Sequence, residues 1–190
     1  MLRTLAIAAG ALLAVPVFAQ ETGFYAGGHF GQASYRNTCD ELGGSGITCD
    51  DSDTGFRILG GYQLNRSFAL ELAYTDLGEV SASGGGGTAS AEASAFEVVA
   101  VGTLPLAERF SLYGKAGVYR GEVDARIDTV LVSGSASESN TDLTFGAGVR
   151  FDFSPRAALR VEWQRYPDMG GDETGEDDID FLSVGVIFRF

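Results

Sequence analysis

The sequence predicts an all-β protein, an eight-stranded antiparallel up-and-down transmembrane β-barrel. Three observations predict it. The chain opens on an export signal, its apolar residues recur at every second position in eight separate segments, and the last segment carries an alternating aromatic end. Over 180–190, Leu182, Val184, Val186, Phe188 and Phe190 share one face. Ser183, Gly185 and Arg189 share the other, with Phe181 and Ile187 as apolar exceptions. A soluble barrel turns its apolar face inward. An exported chain with such a terminal strand turns that face toward lipid.

The signal spans 1–19: Arg3 supplies the positive end, residues 5–15 form a short apolar run, and Val17-Phe18-Ala19 fits a cleavage site. The run is too short to span a bilayer, so the expected mature domain is 20–190. No later stretch is long and apolar enough for a membrane helix. The net charge of −13 argues against a nucleic-acid partner, which needs a basic patch.

Cys39 and Cys49 lie in a polar, Gly-rich stretch. An exported chain meets an oxidising compartment, which favours a local disulfide. The alternative, a pair of metal thiolates, lacks a neighbouring His.

The segments expected to be strands are about 23–35, 54–64, 67–78, 94–104, 110–121, 142–153, 157–166 and 180–190. Three connections are short: Asn65-Arg66, 105–109 and Ser154-Pro155-Arg156. Four are long and read as loops: 36–53, 79–93, 122–141 and 167–179. Short turns at one end and long loops at the other are the layout of a bacterial outer-membrane barrel. An even strand count puts both termini at the short-turn end, expected to be periplasmic, with the long loops extracellular. Most of the 26 acidic residues fall in or beside the long loops. A lipid-facing band excludes charge, because an ion at the bilayer midplane costs about 2–4 kcal/mol.

Period two assigns the faces. Outward residues include Phe24 and Phe30; Phe68, Leu70, Leu72 and Tyr74; Leu112 and Val118; Phe145, Val149, Phe151 and Phe153; and Leu159, Val161 and Trp163. Segment 94–104 is ambiguous, because Glu97 shares its face with Val99 and Val101. Phe24, Tyr62, Phe68, Phe110, Phe153 and Phe190 are expected at the short-turn rim, and Tyr74, Phe96 and Trp163 at the loop rim, as two aromatic girdles.

The inward polar set is His29, Arg57, Glu71, Glu97, Lys115, Arg150, Asp152, Arg160 and Glu162. Eight strands enclose a space that side chains fill, and an unpaired buried ion costs several kcal/mol. Arg57, Lys115, Arg150 and Arg160 therefore pair with Glu71, Glu97, Asp152 and Glu162 in an interior network that plugs the lumen. The alternative is a gate in which ion pairs exchange partners.

Several segments resemble strands of the OmpA-like transmembrane barrel family: Gly23-Phe24-Tyr25-Ala26-Gly27-Gly28, Leu70-Glu71-Leu72-Ala73-Tyr74, Tyr113-Gly114-Lys115-Ala116-Gly117, Gly146-Ala147-Gly148-Val149-Arg150 and Leu159-Arg160-Val161-Glu162-Trp163-Gln164. The final Val186-Ile187-Phe188-Arg189-Phe190 resembles the signal read by the barrel assembly machinery, with Phe188 and Phe190 as its aromatic residues. The resemblance implies a polar, plugged interior, with Glu71, Arg160 and Glu162 at the positions of the family's interior ions. Arg150 departs from it, standing where an acidic residue is usual, and Val101 stands where a Lys is usual. The resemblance covers the barrel domain and no peptidoglycan-binding domain.

Nothing in the sequence requires a cofactor, a metal or an enzymatic activity. His29 sits in His29-Phe30-Gly31, which matches no deacylase pattern, and no phosphate-cradling loop is present. The acidic stretch 168–180 reads as a solvated loop rather than a calcium site. The expected role is structural and surface-interacting, with loops displayed for adhesion or host contact. The expected partners are outer-membrane lipid, lipopolysaccharide and the assembly machinery. The rivals are a small low-conductance pore and a soluble exported lipid-carrier barrel.

Overall fold

The computed structural model describes residues 22–36, 48–50, 52–84, 87–129, 133–171 and 175–190. The expected signal at 1–19 and Cys39 lie outside them. The strands are β1 (Gly23–Tyr35), β2 (Thr48–Asp50), β3 (Ser52–Gln63), β4 (Phe68–Gly84), β5 (Gly87–Pro105), β6 (Phe110–Thr129), β7 (Ser133–Asp152), β8 (Ala157–Gly171) and β9 (Gly175–Arg189).

Each barrel strand pairs antiparallel with its neighbour in sequence, and β1 pairs with β9 to close the ring. The short β2 stands apart and pairs only with the far end of β4, Cys49 opposite Ala82. The barrel proper thus has eight strands, closed and all-β. Both ends of the described chain meet at the short-turn end, where the Phe190 amide donates to the Phe24 carbonyl at 3.0 Å. The first short turn is fixed by Asn65, whose Oδ1 accepts the amides of Ser67 and Phe68, each at 2.9 Å.

Side-chain direction follows parity. Phe24, Phe30, Ile58, Phe68, Leu72, Phe96, Val118, Phe145, Leu182, Val184 and Phe188 are exposed, while Tyr25, His29, Glu71, Glu97, Lys115, Arg160 and Glu162 are buried. The ambiguous segment resolves the same way: Glu97, Val99 and Val101 all point inward, and Phe96 and Val98 point outward. Phe190 is 87% exposed and Phe30 69%. A continuous apolar exterior of this kind belongs against hydrocarbon, not water. At the short-turn rim Phe24 packs on Tyr62 at 4.8 Å and Phe110 on Phe151 at 4.7 Å. At the other rim Phe145 meets Trp163 at 5.9 Å.

One expectation is corrected. Residues 79–93, 122–141 and 167–179 are not loops: most of them continue β4 to β9 as paired strands. β6 runs for 20 residues, about twice the 9–11 a tilted strand needs to cross the hydrocarbon. Period two persists beyond the apolar band, with Val80, Ala93 and Val123 inside and Glu79, Glu92 and Asp124 outside. The outward residues become polar there because the surroundings change from lipid to water. A bulge between Asp76 and Glu79, with Gly78 at φ 78°, and another between Tyr166 and Met169 mark the change on β4 and β8.

Leu72 lies between Phe68 and Tyr74 in the lipid-facing row, so Leu72→Arg should cost about 2–4 kcal/mol in denaturant unfolding from lipid vesicles. Ser135→Arg, on the exposed extension, should change it by less than about 0.5 kcal/mol.

Candidate functional site in the barrel interior

The barrel interior is layered. Toward the short turns, Tyr25, Leu59, Ala69, Ala73, Val99, Val101, Tyr113, Ala158 and Ile187 form an apolar layer. Toward the other end, a second layer gathers Tyr35, Leu77, Val80, Tyr119, Val123, Tyr166, Met169, Ile179 and Phe181. Between them lies a cluster of six ionisable side chains.

β3 contributes Arg57, β4 Glu71, β5 Glu97, β6 Lys115, and β8 both Arg160 and Glu162. All six are buried, with side-chain exposures of 0–3%. Three cations face three carboxylates. Arg57 bridges Glu97 and Glu162 and lies 3.6 Å from Glu71. Lys115 bonds Glu162 and lies 3.9 Å from Glu97. Arg160 pairs with Glu71 at 2.5 Å. The matched count is what makes the cluster tenable, since an odd ion here would carry an uncompensated desolvation cost.

Neutral groups complete it. Tyr25 donates to Glu71 at 2.8 Å and Tyr113 to Glu162 at 2.7 Å. Both rings also flank Arg160, whose Cζ is 5.6 Å and 4.8 Å from their centroids. These flat rings lie over glycines. A Cβ on Gly61 would come within 2.2 Å of the Tyr25 ring, and one on Gly148 within 2.6 Å of the Tyr113 ring. Gln164 sits at the centre: its Oε1 accepts from Arg57 at 2.9 Å and from Lys115, and its Nε2 donates to Glu97 and to Thr144 at 2.9 Å. An amide, both donor and acceptor, joins ions of opposite sign without adding charge.

Three residues from the inward polar set lie outside this cluster. His29 is buried but meets no ion directly; its Nδ1 is 3.3 Å from Ser183 Oγ. Arg150 stands opposite Arg160, a like charge, in the β7–β8 register. It turns away to Asp152 at 3.2 Å, and Asp152 also receives Arg189 at 2.8 Å. Arg150 and Asp152 thus belong to the short-turn mouth. Parity fixes the face of a residue but not its height in a barrel whose strands are staggered. Gln164, Tyr25, Tyr113 and Thr144 carry inward parity too, but nothing in a single neutral residue marks it as a partner of buried charge. Above the apolar band, Asp180 is held by Arg165 at 2.8 Å and Arg36 at 2.6 Å. The Cys39–Cys49 pairing falls outside the described residues.

A model of the family described as outer membrane protein beta-barrel domain matches residues 5–190. The chain belongs to that family. It is an OmpA-like small outer-membrane barrel. It is 27% identical to outer membrane protein A of Yersinia pseudotuberculosis over 171 residues, 88% of this chain and 48% of that one. It is also 27% identical to the Klebsiella pneumoniae protein of that name, over 88% of this chain and 51% of that one. The chain thus spans about half the length of these relatives. Among solved structures, Neisserial surface protein A aligns with TM-score 0.60 and 17% identity, covering 88% of this chain and 97% of that one. The N-terminal barrel of Pseudomonas aeruginosa OprF gives 0.57 and 14%, over 88% and 98%. Ail of Yersinia pestis, in complex with the heparin analogue sucrose octasulfate, gives 0.51 and 18%, over 88% and 99%. At these identities the structures show a shared fold. A lipid-facing exterior and outer-membrane family membership leave no place for the soluble-carrier reading.

Removing one member of the cluster strands its partner. Glu71→Ala or Arg160→Ala should each cost about 3–5 kcal/mol, whereas the paired change Glu71→Leu with Arg160→Met should recover most of that loss. Unfolding in lipid vesicles measures both.

Proposed function

We propose that this barrel is a non-enzymatic structural and surface-interaction protein of the bacterial outer membrane, with its lumen closed and its protruding strands offered to partners. The short turns lie on the periplasmic side and the long hairpins outside the cell. An amino-terminal signal directs export, the aromatic end at Phe188 and Phe190 is read by the assembly machinery, and a Cys39–Cys49 disulfide staples the first hairpin. Outer-membrane lipid and lipopolysaccharide surround the apolar band.

The observation that carries the closed lumen is the sandwich of the six-ion cluster between two apolar layers. Such an interior acts as packing rather than as a gate, because exchanging ion-pair partners leaves Tyr166, Phe181 and Ile187 in place. Refolded protein in planar bilayers should show no steady conductance, and Glu71→Ala and Arg160→Ala should stay equally closed. A conducting wild-type protein would return the low-conductance pore as the better reading. That reading draws support from Arg57 Nε, Arg160 Nε and His29 Nε2, buried atoms with no hydrogen-bond partner among the described residues, which small internal waters would satisfy.

The surface role draws on the extension of β4–β7. β6 and β7 stay paired from Phe110–Phe151 out to Asp128–Ser133. β8 pairs with β7 only from Arg165–Phe145 inward to Ala158–Asp152. Among the described residues the stretch of β7 from Ser133 to Thr144 therefore carries no backbone ladder to β8, its side chains reaching across at Asn140 to the Asp168 carbonyl and at Thr144 to the Arg165 carbonyl. A strand edge without a ladder partner receives an extended segment by strand addition. Ail was solved with the heparin analogue sucrose octasulfate, but across the extension of β6 and β7 Glu122, Asp124, Glu138 and Asp142 outnumber Arg120 and Arg126, which favours a neutral or basic partner. Cells displaying a variant with 124–137 replaced by a two-residue turn should attach less to epithelial monolayers than cells displaying the wild type. Equal attachment by both, with heat-modifiable mobility intact in both, would remove the surface role from this edge.

A further inference from the structure

The short-turn end has a charge character opposite to the rest of the chain. Of 13 Lys and Arg residues in a chain of net charge −13, Arg66, Arg109, Arg150, Arg156 and Arg189 all line the mouth there. Among the described residues lining it, only Glu108 and Asp152 are acidic side chains. The mouth is an open cavity of about 880 Å³, within the range of small-ligand sites.

Its inner wall is built around one shared carboxylate. Asp152 takes Arg150 on Oδ2 and Arg189 on Oδ1, so two guanidinium groups meet a single negative charge. Arg150 is largely buried, with 14% of its side chain exposed. Its Nε is committed to Asp152 at 3.2 Å, and Arg189 spends Nη1 on the Pro155 carbonyl at 3.3 Å. The Nη1 and Nη2 groups of Arg150 have no protein partner among the described residues. Arg160, across the register from Arg150, is already matched to Glu71 and adds a like charge behind it. At the inner mouth the two guanidinium groups of Arg150 and Arg189 thus share the one carboxylate of Asp152, which leaves a positive charge among these three side chains on the wall of the cavity.

We propose that this mouth is an anion site that takes a phosphate group, with Arg150 and Arg189 as the inner ligands and Arg66 and Arg156 at the rim. Guanidinium forks match phosphate oxygens in paired, charge-assisted hydrogen bonds, and low-dielectric walls focus the field. The phosphate is either a phospholipid headgroup from the surrounding leaflet or a soluble phosphate ester.

Titration calorimetry of the folded barrel in a zwitterionic detergent, with inorganic pyrophosphate at low salt, tests this. Saturable binding is expected, weakened at least about tenfold in Arg150→Gln and in Arg189→Gln. Arg120→Gln, at the far end, should leave it unchanged. Heat-modifiable mobility checks folding, and Arg66→Gln with Arg156→Gln, both on exposed turns, should weaken binding even if an inner variant fails to fold. Repeating the titration in nanodiscs distinguishes the sources. Loss of pyrophosphate binding in nanodiscs of anionic but not of zwitterionic phospholipid assigns the site to headgroups, and retention in both assigns it to a soluble phosphate. Absence of binding up to about 10 mM, or equal affinity in wild type and all the Arg variants, overturns the proposal.

Discussion

The constraint on which the structure rests is charge neutrality among side chains buried inside the barrel. Closing eight strands turns half of every strand inward, and six of those inward positions are ionisable side chains gathered at one height. Three cations against three carboxylates, with Gln164, Tyr25 and Tyr113 adding hydrogen bonds to several of them, allow the barrel to close without stranding a charge. Such a cluster is weak evidence for net stability, since well-packed apolar residues often do as well. Its stronger effect is on register. A one-residue slip of any strand would turn its ions to lipid and its aliphatic residues to the lumen.

The exterior answers to a second solvent boundary. Within the hydrocarbon band every outward side chain is apolar or small. Beyond it the same strands continue with Ser, Thr, Glu and Asp outside and Val, Ala, Tyr and Met inside. The membrane thus truncates the apolar exterior but not the barrel. The result is a protein with a short-turn end rich in Arg and a far end rich in carboxylate, and the two ends meet different chemistry.

Much of this was legible in the sequence because a strand's two faces are written directly in its alternation. Leu182, Val184 and Phe188 against Ser183 and Gly185 fix a lipid face and a lumen face with no knowledge of neighbours. The extensions of β4–β9 read as loops in the sequence for a related reason. Outside the membrane the outward residues are polar and the inward ones are Ala or Val, so stretches such as Ser90-Ala91-Glu92-Ala93-Ser94 lose contrast although the period of two remains.

What the sequence determined by itself is the face of the residues in every segment but 94–104, and therefore the strand number, the antiparallel order, the lipid-facing surface and the list of charges that must lie inside. Those follow from local geometry, since successive side chains on a strand point to opposite sides. What only the tertiary structure decided is which inward residues share a height. Stagger between strands set Arg57, Lys115 and Arg160 against Glu71, Glu97 and Glu162, recruited Gln164 to their centre, and moved Arg150 and Asp152 to the mouth. Height around a closed ring is a property of the pairing of all eight strands at once, and no single strand encodes it.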